Sequence, residues 1–199
     1  HLSYTADKNP LTIWSLAGGY YWQPPFYREM RAVDGSLNPD ILPQRAIHAV
    51  AGVDHLFEMY TRQFKFVGEV YYKDLDQMIP YEVENVRQRY YAVNNSSGYA
   101  TGIDLMLNGE FIDGIESWMR VSALKTEEDL ADDFYIELYN DEGIRIIPGY
   151  TWNDVAVDTV HVEPGFIARP SDQRISVSLL FQDEMPANPD YKVLLSLFY

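Results

Sequence analysis

Cysteine is absent from the 199-residue sequence, which excludes a small disulfide-stapled fold and a zinc finger. Basic residues are scarce, because 15 Lys and Arg stand against 30 Asp and Glu and leave a formal net charge of −15. That charge has the wrong sign for holding a phosphate backbone, so we expect no nucleic acid as a partner. No run of about 18 apolar residues occurs, and a transmembrane helix is therefore not expected.

The motifs of the common enzyme classes are also missing. The sequence has no H-E-x-x-H, G-x-S-x-G, P-loop or G-x-G-x-x-G motif, so we predict no enzyme activity, no bound metal and no cofactor. His48 and His55 fall on opposite faces of one predicted strand and cannot share a ligand there. Acidic residues are so numerous that no pair stands out for glycoside hydrolysis. The first eight residues contain no basic or apolar stretch, so we predict no signal peptide.

Short segments of alternating polar and apolar residues dominate a composition that is 47% hydrophobic and 15% aromatic. In the clearest segment, Phe66 and Val70 lie on one face while Lys65, Glu69 and Lys73 lie on the other. About ten residues are enough to cross a bilayer as a tilted strand. Seven strands are predicted, at residues 11–22, 45–57, 64–73, 99–108, 115–125, 174–182 and 191–199.

Long and short connections alternate between these strands. The long loops span residues 23–44, 74–98 and 126–173, whereas the turns at 58–63, 109–114 and 183–190 are short. An all-β antiparallel up-and-down meander in an outer-membrane barrel has this pattern, with its long loops outside the cell. Aromatics at strand ends, such as Tyr20, Trp22, Tyr72 and Tyr99, are typical of the girdles of such barrels. Tyrosine is also simply a good strand former, and that explanation stays open.

The longest loop concentrates negative charge, because residues 126–170 contain eleven acids and two bases. Within it, residues 134–139 and 144–147 flank a turn signal at 140–143 and predict a hairpin. The acids at the start of the loop offer oxygen ligands for Ca²⁺, or they form a solvated acidic surface. These acids are Glu127, Glu128, Asp129, Asp132 and Asp133.

A series of short motifs follows in order along almost the whole chain. It comprises GYYWQPPFYREM at 19–30, LNP at 37–39, QRAIH at 44–48, FKF at 64–66, EVYYK at 69–73, IPYEVENVR at 79–87, GYATGID at 98–104, LNGEF at 107–111, ESW at 116–118, KTEED at 125–129, RPSDQR at 169–174, FQD at 181–183, and Pro186, Asn188 and Pro189. In order and spacing these motifs resemble the barrel of Bacteroidetes-type TonB-dependent outer-membrane receptors.

The resemblance implies a 22-stranded barrel closed by an N-terminal plug, which 199 residues cannot supply. We therefore expect a truncated chain from the C-terminal part of a transmembrane barrel, because seven strands alone would leave unpaired edges in lipid. The resemblance implies import of an oligosaccharide, peptide or metal chelate across the outer membrane of a Gram-negative cell. The partners it implies are the missing remainder of the barrel and the plug, a TonB energy-transducing complex reached through that plug, outer-membrane lipid and a surface lipoprotein.

Two sets of residues are candidates for contact with a solute. Lumen-facing polar residues select the solute, pair with one another or pair with the plug, and they are Lys65, Glu69, Lys73, Asp104 and Arg120. Loop aromatics stack on sugars or apolar solutes, or pack the loops together, and they are Tyr27, Tyr81, Tyr90, Tyr91, Tyr139, Tyr150 and Trp152. The alternative fold is a soluble extracellular β-sandwich that binds carbohydrate, in which protein covers both faces of each strand.

Overall fold

A computed structural model describes residues 2–9, 11–112, 114–185 and 188–199. These residues form thirteen strands: β1 (Leu2–Asn9), β2 (Thr12–Gln23), β3 (Gln44–Met59), β4 (Arg62–Met78), β5 (Tyr81–Glu84), β6 (Arg87–Tyr90), β7 (Ser96–Ile112), β8 (Ile115–Leu130), β9 (Tyr135–Tyr139), β10 (Asp158–Val162), β11 (Ile167–Ala168), β12 (Ile175–Met185) and β13 (Asn188–Phe198). None of the described segments is a helix long and apolar enough to cross a membrane.

One antiparallel sheet contains the long strands in the order β1-β2-β3-β4-β7-β8-β12-β13, and β11 pairs with β8 at the loop end. The predicted meander is confirmed, since each of the seven predicted strands corresponds to a strand of this sheet. Strand β1 was not predicted, and β4 and β7 reach 17 residues each, well beyond their predicted ends. Within the described residues the sheet stays open, with β1 and β13 as its edges.

The strand register places apolar side chains in continuous rows on one side of the sheet, here called the apolar face. The paired residues of its three central rows, given next, include no Asp, Glu, Lys or Arg. Those rows are Leu16, Ala51, Val70, Ile103, Ala123 and Ile175; then Trp14, Val53, Gly68, Leu105, Val121 and Val177; then His55, Phe66, Leu107, Met119 and Leu179.

The opposite side, here called the polar face, carries the charged and hydroxyl residues between those rows. One of its rows consists of Ser15, Gly52, Glu69, Asp104, Ser122 and Ser176. The predicted split of β4 is therefore confirmed, because Lys65, Glu69 and Lys73 all alternate with residues of the apolar face. His48 lies on the polar face and His55 on the apolar face, also as predicted.

No second layer covers the apolar face among the described residues. Val70, Ile103 and Leu105 remain 49%, 47% and 41% exposed, and Phe66 and Val177 are half-buried by their in-sheet neighbours. All strand-to-strand contacts within the described ranges join hydrogen-bonded neighbours, so no strand packs face to face on another. This arrangement differs from a sandwich, in which a second sheet would bury these side chains.

Rings border the apolar face at both ends. At the short-turn end a chain of neighbouring rings crosses β3, β4 and β7, with Phe57 and Phe64 centred 5.8 Å apart and Phe64 and Phe111 centred 5.9 Å apart. The Phe64 ring lies against Gly109, where any β-carbon would clash with it. At the loop end, ring pairs include Tyr20–Trp22 at 6.0 Å, Tyr72–Tyr99 at 6.3 Å and Tyr99–Phe166 at 5.6 Å.

Candidate functional site

The first two long loops pack into a compact unit above the sheet, here called the loop layer and made of residues 24–43 and 79–95. Its core consists of buried Ile41, Ile79, Tyr90 and Ala92, with Tyr81 packed against them. Strands β5 and β6 form a hairpin closed by a bond from the Tyr91 amide to the Pro80 carbonyl, 3.1 Å. The prolines that flank these loops stop the long strands from continuing.

Side-chain amides tie the two loops of this layer together. Asn94 accepts a hydrogen bond from the Leu42 amide at 2.8 Å and donates to the carbonyls of Leu42 and Gln77 at 3.0 and 2.7 Å. Asn38 donates to the Ala92 carbonyl at 2.9 Å. The Asn38–Ala92 and Asn94–Leu42 contacts join segments more than 50 residues apart in sequence, so they hold the two loops to each other.

A cavity of about 690 Å³ lies between the loop layer and the upper end of the polar face. Tyr21, His48, Tyr71 and Lys73 line it from β2, β3 and β4. Glu29, Tyr81 and Tyr90 line it from the loop layer, and Thr126 and Arg169 line it from the side of β8. We take this cavity as the candidate functional site, because it brings one predicted lumen residue, Lys73, and two predicted loop aromatics, Tyr81 and Tyr90, into one space.

Rings and one ammonium group line the sheet side of the cavity. The Tyr21 and His48 rings are stacked with centres 4.3 Å apart, and His48 is the cross-strand partner of Lys73. Lys73 Nζ lies 5.4 Å from the centre of the Tyr71 ring, within the range of a cation–π contact. The Tyr71 ring in turn lies over Gly102, its partner on β7, where a larger residue would leave no room for it.

The loop side of the cavity contains a tyrosine pair. The Tyr81 and Tyr90 rings are centred 5.6 Å apart, and Arg28 lies over the Tyr90 ring at 5.7 Å. Burial raises the pKa of the Tyr90 hydroxyl, and the Arg28 cation partly opposes that rise. Glu29 is 5% exposed, and its carboxylate accepts a hydrogen bond from the Phe26 amide at 2.7 Å. This side therefore presents mainly aromatic surface.

Below the cavity, charged residues of the polar face pair across strands. Lys65 forms an ion pair with Asp54 at 2.6 Å. Asp104 accepts a hydrogen bond from Ser122 and lies 3.8 Å from Arg120. Glu69 is the direct partner of Asp104 on β7, so two acids stand side by side there. Four of the five predicted lumen residues thus lie on the lower part of the face, and only Lys73 reaches the cavity.

Three of the acids at the start of the third loop, Glu127, Glu128 and Asp129, lie on β8, and the first two of them pair with bases. Glu127 contacts Lys125 at 2.9 Å and Arg174 at 3.9 Å, and Glu128 contacts Arg169 at 3.2 Å. Glu127 and Glu128 are consecutive strand residues, so they face opposite sides of the sheet. No group of three His, Asp or Glu residues within the described ranges is placed to hold a metal ion.

The seven predicted loop aromatics separate into three groups. Tyr81 and Tyr90 line the cavity. Tyr27 and Tyr91 lie on the outer surface of the loop layer, where Tyr91 donates to Glu82 at 3.1 Å, and burial together with this bond raises the pKa of Tyr91. The remaining three lie in the third loop: Tyr139 donates to Glu137, and Tyr150 and Trp152 are almost fully exposed.

The hairpin predicted at residues 134–147 forms only in part. Its turn is present, because the amide of Asn140 bonds to the Ile144 carbonyl and that of Ile146 bonds to the Leu138 carbonyl. The residues after the turn form no strand, however, and β9 pairs instead with β10, a strand that the sequence did not predict. Sequence reasoning also missed Tyr21, His48 and Tyr71 as cavity residues. In the alternating pattern all three fall on the polar face, at the upper ends of three predicted strands, and that position was the signal that could have found them.

Comparison of the chain with family models, with curated proteins and with solved structures gives no match.

Proposed function

We propose that this chain is a segment of barrel wall, with its outer loops, from a TonB-dependent outer-membrane receptor that imports a solute. In this proposal the apolar face meets lipid, the polar face lines the lumen, and the loop layer lies outside a Gram-negative cell. The remaining strands, the plug and the TonB energy-transducing complex complete the machine, and a surface lipoprotein covers the loops. The segment itself performs no covalent chemistry.

The observation that carries the proposal is the uncovered apolar face, which spans the sheet without a charged residue in its central rows. Monomeric soluble proteins rarely expose an apolar patch of this extent, whereas a barrel wall requires one. Ion pairs such as Lys65–Asp54 lie on the opposite, polar face. A sheet with one apolar and one charged face is the pattern of a barrel wall between lipid and water.

The height of the apolar face also supports a membrane setting. Phe64 lies in the ring row at the short-turn end of the sheet. Asp74, ten residues further along β4, is the cross-strand partner of Tyr99 and so lies level with the ring row at the loop end. Ten strand residues span about 33 Å. With the strand tilt of roughly 40° usual in such barrels, the rows stand about 25 Å apart along the membrane normal, which matches the apolar band of outer-membrane proteins.

Spin labels on single cysteines, in an otherwise cysteine-free background, test this proposal, and the 199 residues contribute no native cysteine of their own. We would label Val70→Cys and Ile103→Cys on the apolar face, and Glu69→Cys and Ser122→Cys on the polar face, in the intact protein in outer-membrane vesicles. Oxygen, which concentrates in lipid, should relax the first pair faster. A water-soluble nickel chelate should relax the second pair faster.

Two results would contradict the proposal. If Val70→Cys and Ile103→Cys are shielded from both relaxing agents, a second layer of protein covers the apolar face, as in the carbohydrate-binding sandwich. If they respond to the nickel chelate, that face meets water. Recovery of the protein from buffer as a monomer without detergent would argue in the same direction.

A further inference from the structure

The cations of the polar face differ in whether they form an ion pair with an acid. Lys65 and Arg120, on the lower part of the face, each lie within 4 Å of an acid. Lys73, eight residues or roughly 26 Å further along β4, has no acidic partner within the described residues. Its neighbours there are the Tyr71 ring and His48, its cross-strand partner on β3. An ammonium group without a counter-ion thus faces the cavity under the loop layer.

The other charged groups of the cavity wall are already satisfied. Arg169 pairs with Glu128, and Arg45 pairs with Asp76. The carboxylate of Glu29 is buried and accepts the Phe26 amide hydrogen. Lys73 is therefore the cation of the described cavity wall that no acid pairs with, and the carboxylate of Glu29 is buried in the loop layer on the other side of the cavity. The acids nearest the cavity on β8 are paired with bases.

We propose that this cavity receives the anionic group of the imported solute, with Lys73 as its counter-ion and the surrounding tyrosines against the solute's uncharged part. The inference rests on the proposed function and names its substrate class as a carboxylate- or phosphate-bearing molecule. An opposite charge within about 4 to 6 Å stabilises a partly shielded ammonium, and rings such as Tyr81 and Tyr90 offer flat surface for packing.

The test measures the sign of the electrostatic potential inside the cavity. Ala100 lies next to Lys73 across the β4–β7 pair and lines the same space. A single Ala100→Cys, in the intact protein in outer-membrane vesicles, is reacted with two methanethiosulfonates of similar size. One carries a sulfonate and the other a quaternary ammonium group. Each rate is divided by the rate of the same reagent with a free thiol.

We expect the sulfonate reagent to react faster than the ammonium reagent after this correction. Lys73→Met should lower that preference by roughly three- to tenfold, the range expected for one unit charge near the thiol in a wet, salt-screened lumen. Lys73→Arg should retain it. Lys65→Met is the matched control, because it removes a lumen cation that already has an acidic partner, and it should change the preference by less than about twofold.

Three results would overturn the inference: no change in the rate ratio on Lys73→Met, a preference for the ammonium reagent while Lys73 is present, or no reaction with either reagent. The last result would mean that the plug fills the cavity. Spin labels at Ile103 report separately on the membrane setting. A lipid signal at Ile103 with an unresponsive rate ratio rejects only the anionic substrate, whereas a water signal at Ile103 rejects the proposed function.

Discussion

Apolar side chains in the sheet and in the loop layer have opposite surroundings. On the sheet, Val70 and Ile103 are about half exposed and point away from the rest of the protein. In the loop layer, Ile79 and Tyr90 are 5% and 7% exposed and pack against residues from a second loop. The part of the chain with the longest regular strands thus has almost no core, while two loops have one.

The proposed function accounts for this difference, because in it the two regions meet different solvents. A loop layer in water must bury its apolar residues within protein, because nothing else shields them. A sheet that exposes rows of Leu, Ile and Val needs another apolar medium, and lipid is the medium proposed above. Substitutions that are harmful in one region should therefore be mild in the other, and Ile79→Ala with Ile103→Ala is such a pair.

The largest effect is expected from a cavity in the loop core. Ile79→Ala removes a buried side chain, so it should lower the free energy of local unfolding of the loop layer by about 2 to 5 kcal/mol. Trypsin cleavage after Arg87 and Arg89 should then accelerate strongly. Ile103→Ala makes the same chemical change on the apolar face and should leave that cleavage rate unchanged. Equal acceleration by both variants would contradict the contrast between the regions.

A charge on the apolar face should have a slightly smaller effect, and only there. Ile103→Arg places a cation in the middle of the apolar rows, which costs about 2 to 4 kcal/mol at the midplane of a bilayer. Ser122→Arg, on the polar face of the neighbouring strand, should be tolerated because Asp104 is close by. The fraction of folded, heat-modifiable protein in the outer membrane measures both. Normal assembly of Ile103→Arg would show that its surroundings are aqueous.

The sheet could be predicted from the sequence because its clearest strands, such as β4, have one polar and one apolar face. A period of two is a local signal, and residues such as Phe66, Glu69 and Val70 reveal it without knowledge of the neighbouring strands. Strand β1 has the same alternation at Leu2, Ser3 and Tyr4, but only over a few residues. So short a run does not distinguish a strand from an irregular segment.

The cavity could not be predicted in this way, because its form depends on contacts between distant segments. Tyr81 and Tyr90 are buried by Ile41, from a different loop, and no local pattern reports that contact. The same limit explains the error at β9. The signal at Asn140 and Gly143 identified a real turn, but it did not determine which strand would pair with β9.

The smallest effect concerns the tip of the β5–β6 hairpin, where the loop layer itself departs from favourable geometry. Asn85 and Val86 form its two-residue turn with φ values of +46° and +72°, and Val86 is 98% exposed. A β-branched residue in this left-handed region is strained, and glycine is the preferred residue there. Val86→Gly should stabilise the hairpin by about 1 kcal/mol, the lower end of the left-handed penalty.

Amide exchange at Tyr91, whose N–H closes the hairpin, should slow by about fivefold in Val86→Gly, the factor equivalent to that energy. Thr61→Gly is the matched control, because Tyr60 and Thr61 form the β3–β4 turn with φ values of +52° and +63°. It relieves the same strain at the opposite end of the sheet and should leave exchange at Tyr91 unchanged. Faster exchange in Val86→Gly would mean that the exposed valine makes a contact that stabilises the loop layer. The loop layer would then not be packed by its own residues alone, because another part of the protein would have to contact the hairpin tip.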